Sequence, residues 1–201
     1  TNSCPSCAIT MHLYERGNNK PYDEQSEIIT KLTTALASGK IAAVKGIGGY
    51  LLLCDATNEE ALQTLRSRKH RPFKPFAILY PDIPAAMGDL HINDIEIEAL
   101  TSKVAPIVLC SIKESIQSGI CLNLVAPHLD KLGIMLPYTP LLQLISNQFI
   151  KPLIATSANL SGSPIIYTDT DALDLLWDFA DLIVTYNREI VTPQDDSVWQ
   201  F

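Results

Sequence analysis

Short apolar runs alternate with polar stretches of helical periodicity along the whole chain. IAAVK (41–45) and Tyr50–Cys54 are hydrophobic at consecutive positions, which predicts strands covered on both faces. Further strands are expected at Phe76–Tyr80, between Pro75 and Pro81, and at 106–110, 133–136, 152–156, 182–186 and 197–201. Helices fall between them. Residues 23–38 place Ile28, Leu32, Ala35 and Leu36 on one face and stop at Gly39. Asn58 caps a helix through Arg68, with Glu59 and Glu60 in its first turn. A helix over 93–103 should turn Ile95, Ile97 and Leu100 inward. Thr139-Pro140 opens another through Ser146, and a last one covers 169–179. The region between 110 and 133 is less regular. This is the α/β pattern in one domain, without repeat or linker.

Composition narrows the class. The chain has 201 residues, 47% of them hydrophobic, enough to bury a core and too many for a disordered segment. No apolar run reaches the ~20 residues of a spanning helix. The net charge of −7 argues against a general nucleic-acid binder. Of five cysteines, Cys54, Cys110 and Cys121 sit in apolar surroundings as small hydrophobes, and no disulfide framework is visible; a reducing cytoplasm is expected. Cys4-Pro-Ser-Cys7 has zinc-knuckle spacing but supplies only half a tetrahedral site.

Two polar features interrupt the pattern. Arg66-Ser67-Arg68-Lys69-His70-Arg71-Pro72-Phe73-Lys74 holds five of the fifteen Lys and Arg residues, with no acid between Ala61 and Tyr80. A solvated helix end accounts for Arg66 and Arg68. Arg71 and Lys74 lie on a proline-stiffened loop before a buried strand, a platform suited to clamping phosphate. Charge alone fits both readings equally. The second feature is TSANLSG (156–162), at the end of a buried strand where α/β proteins bind ligands. Ser157 and Asn159 are two apart and share a side if the strand continues, although a plain Ser/Asn turn has the same composition. Gly46-Ile47-Gly48-Gly49 lacks the third glycine of a dinucleotide fingerprint. There is also no Walker A sequence, zinc-protease motif or G-x-S-x-G elbow. Asp195-Asp196 fits a Mg²⁺ ligand pair and, more commonly, an acidic turn.

Taken together, KGIGGYLLLCDATN (45–58), LRSRKHRPFKPFAIL (65–79), APIVL (105–109), LGIMLPYTPL (132–141), PLIATSANLSGSPI (152–165) and DDSV (195–198) resemble the YrdC-like domain. The likeness is to the version carried by the hydrogenase-maturation carbamoyltransferases, HypF. It implies a YrdC/RibB-like twisted mixed sheet with flanking helices around a basic cavity. It also implies ATP-dependent formation of carbamoyl-AMP with release of pyrophosphate. The K-x-R and S-x-N elements of such domains fall on Lys69, Arg71, Ser157 and Asn159, to which the resemblance assigns catalysis. Lys74, Ser197, Ala155 and Tyr138 are expected at the nucleotide, and Gly48, Gly49 and Tyr50 at the carbamoyl end.

ATP and Mg²⁺ are the implied cofactors. Zn²⁺ is expected only in a full-length protein, where Cys4 and Cys7 would close a finger. Residues 1–20 would be the remnant of that zinc-finger region and its linker, and 21–201 the YrdC-like domain. Other HypF domains and HypE, as carbamoyl acceptor, are the implied partners. Related domains instead make threonylcarbamoyl-AMP for tRNA modification, using a threonine-bearing turn where this chain has Lys45-Gly46-Ile47-Gly48-Gly49. That departure favours the carbamoyl branch. A double-stranded RNA-binding module without catalysis is the remaining alternative.

Overall fold

The computed structural model describes residues 8–18, 20–159 and 163–201. Its strands are β1 (Met11–Glu15), β2 (Ala42–Lys45), β3 (Tyr50–Asp55), β4 (Ala77–Leu79), β5 (Leu90–His91), β6 (Ile107–Ile112), β7 (Lys131–Met135), β8 (Leu153–Ser157), β9 (Leu182–Tyr186) and β10 (Val198–Trp199). Among the described residues they form one mixed sheet in the order β1-β9-β2-β3-β8-β4-β7-β6-β10, with β5 also paired to β6. The β9–β2, β4–β7 and β6–β10 pairs are parallel, and the others are antiparallel.

The continuous apolar runs are explained by two cores, one on each face. Leu52, Cys54, Ile78 and Ile154 point to one of them, which is closed by α2 (Glu59–Arg68), α3 (Ile83–Asp89), α4 (Asp94–Thr101), α5 (Leu122–Val125) and α7 (Asp169–Leu175). Leu51, Leu53, Leu79 and Ala155 point to the other, beneath α1 (Ile28–Ala37) and α6 (Pro140–Phe149). The expected caps are present: Asn58 Oδ1 accepts from Ala61 N at 3.0 Å, and Thr139 Oγ1 from Leu142 N at 3.1 Å.

Several boundaries differ from the sequence reading. Helix α1 begins at Ile28, not residue 23, because the Gln25 side chain instead pairs with both backbone groups of Met11. That contact holds β1, which pairs with β9, so the sheet takes in part of the segment 1–20. In α4 it is Glu96, Ala99 and Leu100 that are buried; Ile95 is exposed, since the Asn93–Glu96 capping box sets the helix rotation. Helix α6 runs on to Phe149, α7 gives way to a 3₁₀ turn at Leu176–Asp178, and the last strand shrinks to Val198–Trp199. Short α3, β5 and α5 carry too few residues for periodicity to reveal. Cys4, Cys7 and residues 160–162 of the TSANLSG segment lie outside the described residues.

Candidate functional site

The basic bend follows from how α2 ends. Lys69 is its C-cap, and His70 enters the left-handed region at φ +49°, which turns the chain back toward the start of β4. Lys69 and Arg71 flank that turn. The Lys69 ammonium, 7% exposed, donates to Ser157 O (2.8 Å), Asn159 O (3.2 Å) and Asn159 Oδ1 (3.4 Å) at the end of β8. Arg71 reaches the same strand end through Thr156 Oγ1 at 3.0 Å. Two further N–H groups hold Lys74 O and Pro75 O, and its guanidinium lies 4.7 Å from the Phe76 ring centre. The basic bend and the end of β8 therefore meet.

They border a cavity of about 330 Å³ lined by Arg71, Lys74, Ala155, Thr156 and Ser157, with Asp195 and Asp196 also in its wall. A neighbouring cavity of about 300 Å³ shares Asp195 and Asp196 and is lined by Gly48, Gly49, Tyr138 and Lys103. Asn159 lies beside the first cavity; its Oδ1 accepts from Ser157 Oγ at 3.1 Å and its amide donates to Ser163 O at 2.9 Å. Ser197 lines neither: its carbonyl accepts from Ile107 N at 2.8 Å, while the adjacent Val198 lines the first cavity. A further cavity of about 390 Å³, among Ser38, Lys40, Asn58 and Arg68, contains none of the residues singled out for chemistry.

The glycine turn between β2 and β3 packs against residues 194–196. Gly48 O accepts from Gln194 N at 2.9 Å, and a Cβ on Gly48 would overlap the Gln194 carbonyl. Tyr50, expected with Gly48 and Gly49 at the acyl end, lines neither cavity: it is fully buried in the core that α2 and α7 close, and its hydroxyl donates to Asp169 Oδ1 at 2.5 Å. The sequence reading passed over the companions of Tyr50. Lys45, 3% exposed, pairs with Asp169 at 2.6 Å and donates to Tyr186 O at 3.1 Å, and Tyr186 OH donates to Gly46 O at 2.7 Å. A lysine ending an otherwise apolar strand was the available signal.

Arg66 corrects an expectation. It is not a surface charge: it is 8% exposed, and its guanidinium donates to backbone carbonyls. The end of α2 faces the 71–75 loop and α5 rather than solvent. Arg68, by contrast, is half-buried and pairs with Asp181 at 2.9 Å.

Electrostatics follow the geometry. Burial, then the charges of Arg71 and Lys74, lower the Lys69 ammonium to about 8, and burial with Arg66 lowers Arg71 to about 10. Partial desolvation beside the two cavities, then the charge of Asp195, raises the carboxyl of the otherwise exposed Asp196. The site thus stores positive charge that a bound anion would relieve. Among the described residues no group of three or more His, Cys, Asp or Glu side chains could hold a metal ion. Nor is any helix among them long and apolar enough to cross a membrane.

Known proteins resemble this chain in sequence and in fold. The carbamoyltransferase HypF of Synechocystis sp. is 42% identical over 177 residues, 88% of this chain and 23% of that protein. A full-length HypF crystal structure "in the phosphate- and nucleotide-bound form" superposes with a TM-score of 0.86 at 38% identity, over 98% of this chain and 25% of that one. The threonylcarbamoyl-AMP synthase of Photobacterium profundum is 27% identical over 154 residues, 74% of this chain and 80% of that protein. The chain spans about a quarter of the length of the HypF proteins it resembles. Residues 34–201 match the sequence model of the Sua5/YciO/YrdC group, described as "Telomere recombination", and the chain belongs to that family.

Proposed function

We propose that this domain forms carbamoyl-AMP from ATP and carbamate, releasing pyrophosphate, as a step in carbamoyl transfer for hydrogenase maturation. The observation that carries the reading is the union of the two motifs: Lys69 bonded to Ser157 and Asn159, and Arg71 to Thr156, beside one basic cavity. Likeness to HypF over nearly the whole chain supports the carbamoyl branch.

In this scheme a carbamate oxygen attacks the α-phosphorus in line and the P–O bond to pyrophosphate breaks, the electron pair leaving with that oxygen. No protein nucleophile is needed, so positioning and charge stabilisation carry the catalysis. Arg71 and Lys74 face the phosphates, Arg71 with a planar fork suited to two oxygens. On nucleotide binding the Ser157 hydroxyl turns from Asn159 Oδ1 to a phosphate oxygen, the second N–H of the Asn159 amide orients another, and Lys69 holds their backbone. Gly48 and Gly49 border the small acyl end, with Tyr138 on the wall of that cavity. Asp195 and Asp196, on a wall shared with the cationic loop, fit a Mg²⁺ held mainly by the nucleotide; such an ion would spread the phosphate charge. HypE as acceptor belongs to the same proposal, as does a segment 1–20 preceding a 21–201 domain, with the strand β1 of that segment paired into the domain's sheet.

The test is pyrophosphate release from ATP in ammonium bicarbonate, which supplies carbamate, with and without threonine. Carbamate-dependent, threonine-independent release is expected. Release that requires threonine would assign the domain to the threonylcarbamoyl branch.

A further inference from the structure

We infer that Arg66 is a positioning residue: its guanidinium organises the 71–75 loop so that Arg71 and Lys74 are presented to the cavity. Arg66 Nε donates to Leu124 O at 2.7 Å and one terminal nitrogen to Arg71 O (2.6 Å), Pro72 O (3.0 Å) and Lys74 O (3.3 Å). The other terminal nitrogen reaches Val125 O at 3.5 Å. Five carbonyls, three from the 71–75 loop and two from the end of α5, thus converge on one side chain, which no lysine, with three donors on one atom, can reproduce. Lys74 O is shared with Arg71 Nε at 3.2 Å, and both guanidiniums lie over the Phe76 ring, at 4.6 and 4.7 Å. Any shift of Arg66 is thereby passed to Arg71 through common partners.

The choice of acceptors has an electrostatic consequence. No carboxylate among the described residues pairs with Arg66. Carbonyl dipoles solvate the buried cation without cancelling its charge, so its field extends to the cavity, in keeping with the lowering of Arg71 by Arg66. The inference uses the proposed reading only for the identity of the anion.

The experiment compares wild type, Arg66→Lys and Arg68→Met, the last breaking the Arg68–Asp181 pair at the same helix end. Affinities for a non-hydrolysable ATP analogue and for pyrophosphate are measured by calorimetry at a temperature where circular dichroism shows each protein folded. Hydrogen exchange is followed at the amides of 71, 73 and 74. Arg66→Lys should bind both ligands at least tenfold more weakly, with at least tenfold faster loop exchange. Arg68→Met should bind like wild type even where its Tm is the lower. Arg66→Lys within twofold of wild type in affinity, or an equal loss in Arg68→Met, would overturn the inference. If wild type binds neither ligand, the proposed function fails, and loop exchange then decides the positioning role: accelerated in support, unchanged against. Should Arg66→Lys not fold, Arg66→Gln is read in the same way, and collapse of both variants with Arg68→Met intact would mark Arg66 as purely structural and refute the proposal.

Discussion

Nucleotide binding should draw a proton onto Lys69 in mildly alkaline solution. The ammonium is 7% exposed, stands near Arg71 and Lys74, and is lowered from 10.5 to about 8. Near pH 8.5 only about a quarter of free protein therefore carries this proton. A polyphosphate in the adjoining cavity favours the charged form and returns the group toward its ordinary value, so binding should take up roughly 0.7 proton at that pH and about 0.1 at pH 7. Affinity should correspondingly fall about tenfold between pH 7 and pH 9. Arg71, at about 10, stays charged across this window. The sign for folding is fixed by the same shift. Because the folded value lies below the unfolded one, the unfolded chain binds more protons between about 8 and 10.5, and the contribution of Lys69 to stability grows with rising pH there. Calorimetric titration at pH 8.5 in two buffers of different ionisation enthalpy measures the uptake directly. Absence of uptake, or the same uptake in Lys69→Gln, would refute the placement of this charge at the ligand.

Three substitutions extend the reasoning. Arg71→Lys removes the fork that spans Thr156, Lys74 and Pro75, and the loss of charge-assisted contact (~1.5–3 kcal/mol) should weaken an ATP analogue roughly tenfold or more in a binding titration. Asp89, fully buried, accepts from Tyr80 OH, Ser118 Oγ and the backbone N–H groups of Gln117 and Ser118; Asp89→Ala should lower stability by about 3 kcal/mol or more in urea unfolding. Because that cluster shares no residue with the basic cavity, nucleotide affinity should not change. Ile150 is β-branched, 71% exposed and left-handed at φ +69°, so Ile150→Gly should stabilise by about 1 kcal/mol, seen as a Tm rise of roughly 2–4 °C.

Local rules, read along the chain, were sufficient for the alternation of strands and helices, the two-sided burial of the central strands, the Asn58 and Thr139 caps and the two polar elements of the site. Each depends on neighbours within a few residues: apolar periodicity, a capping oxygen, a run of like charges. They could not separate Arg66 from Arg71, because both are arginines in one basic stretch. What distinguishes them is that the end of α2 packs on α5, more than fifty residues away, so that Arg66 meets the carbonyls of Leu124 and Val125 while Arg71 meets Thr156. The same holds for the Lys45–Asp169–Tyr50 cluster and for the approach of residues 194–196 to the glycine turn. Burial and electrostatic potential are sums over groups distant in sequence, and only the folded arrangement decides which groups enter the sum.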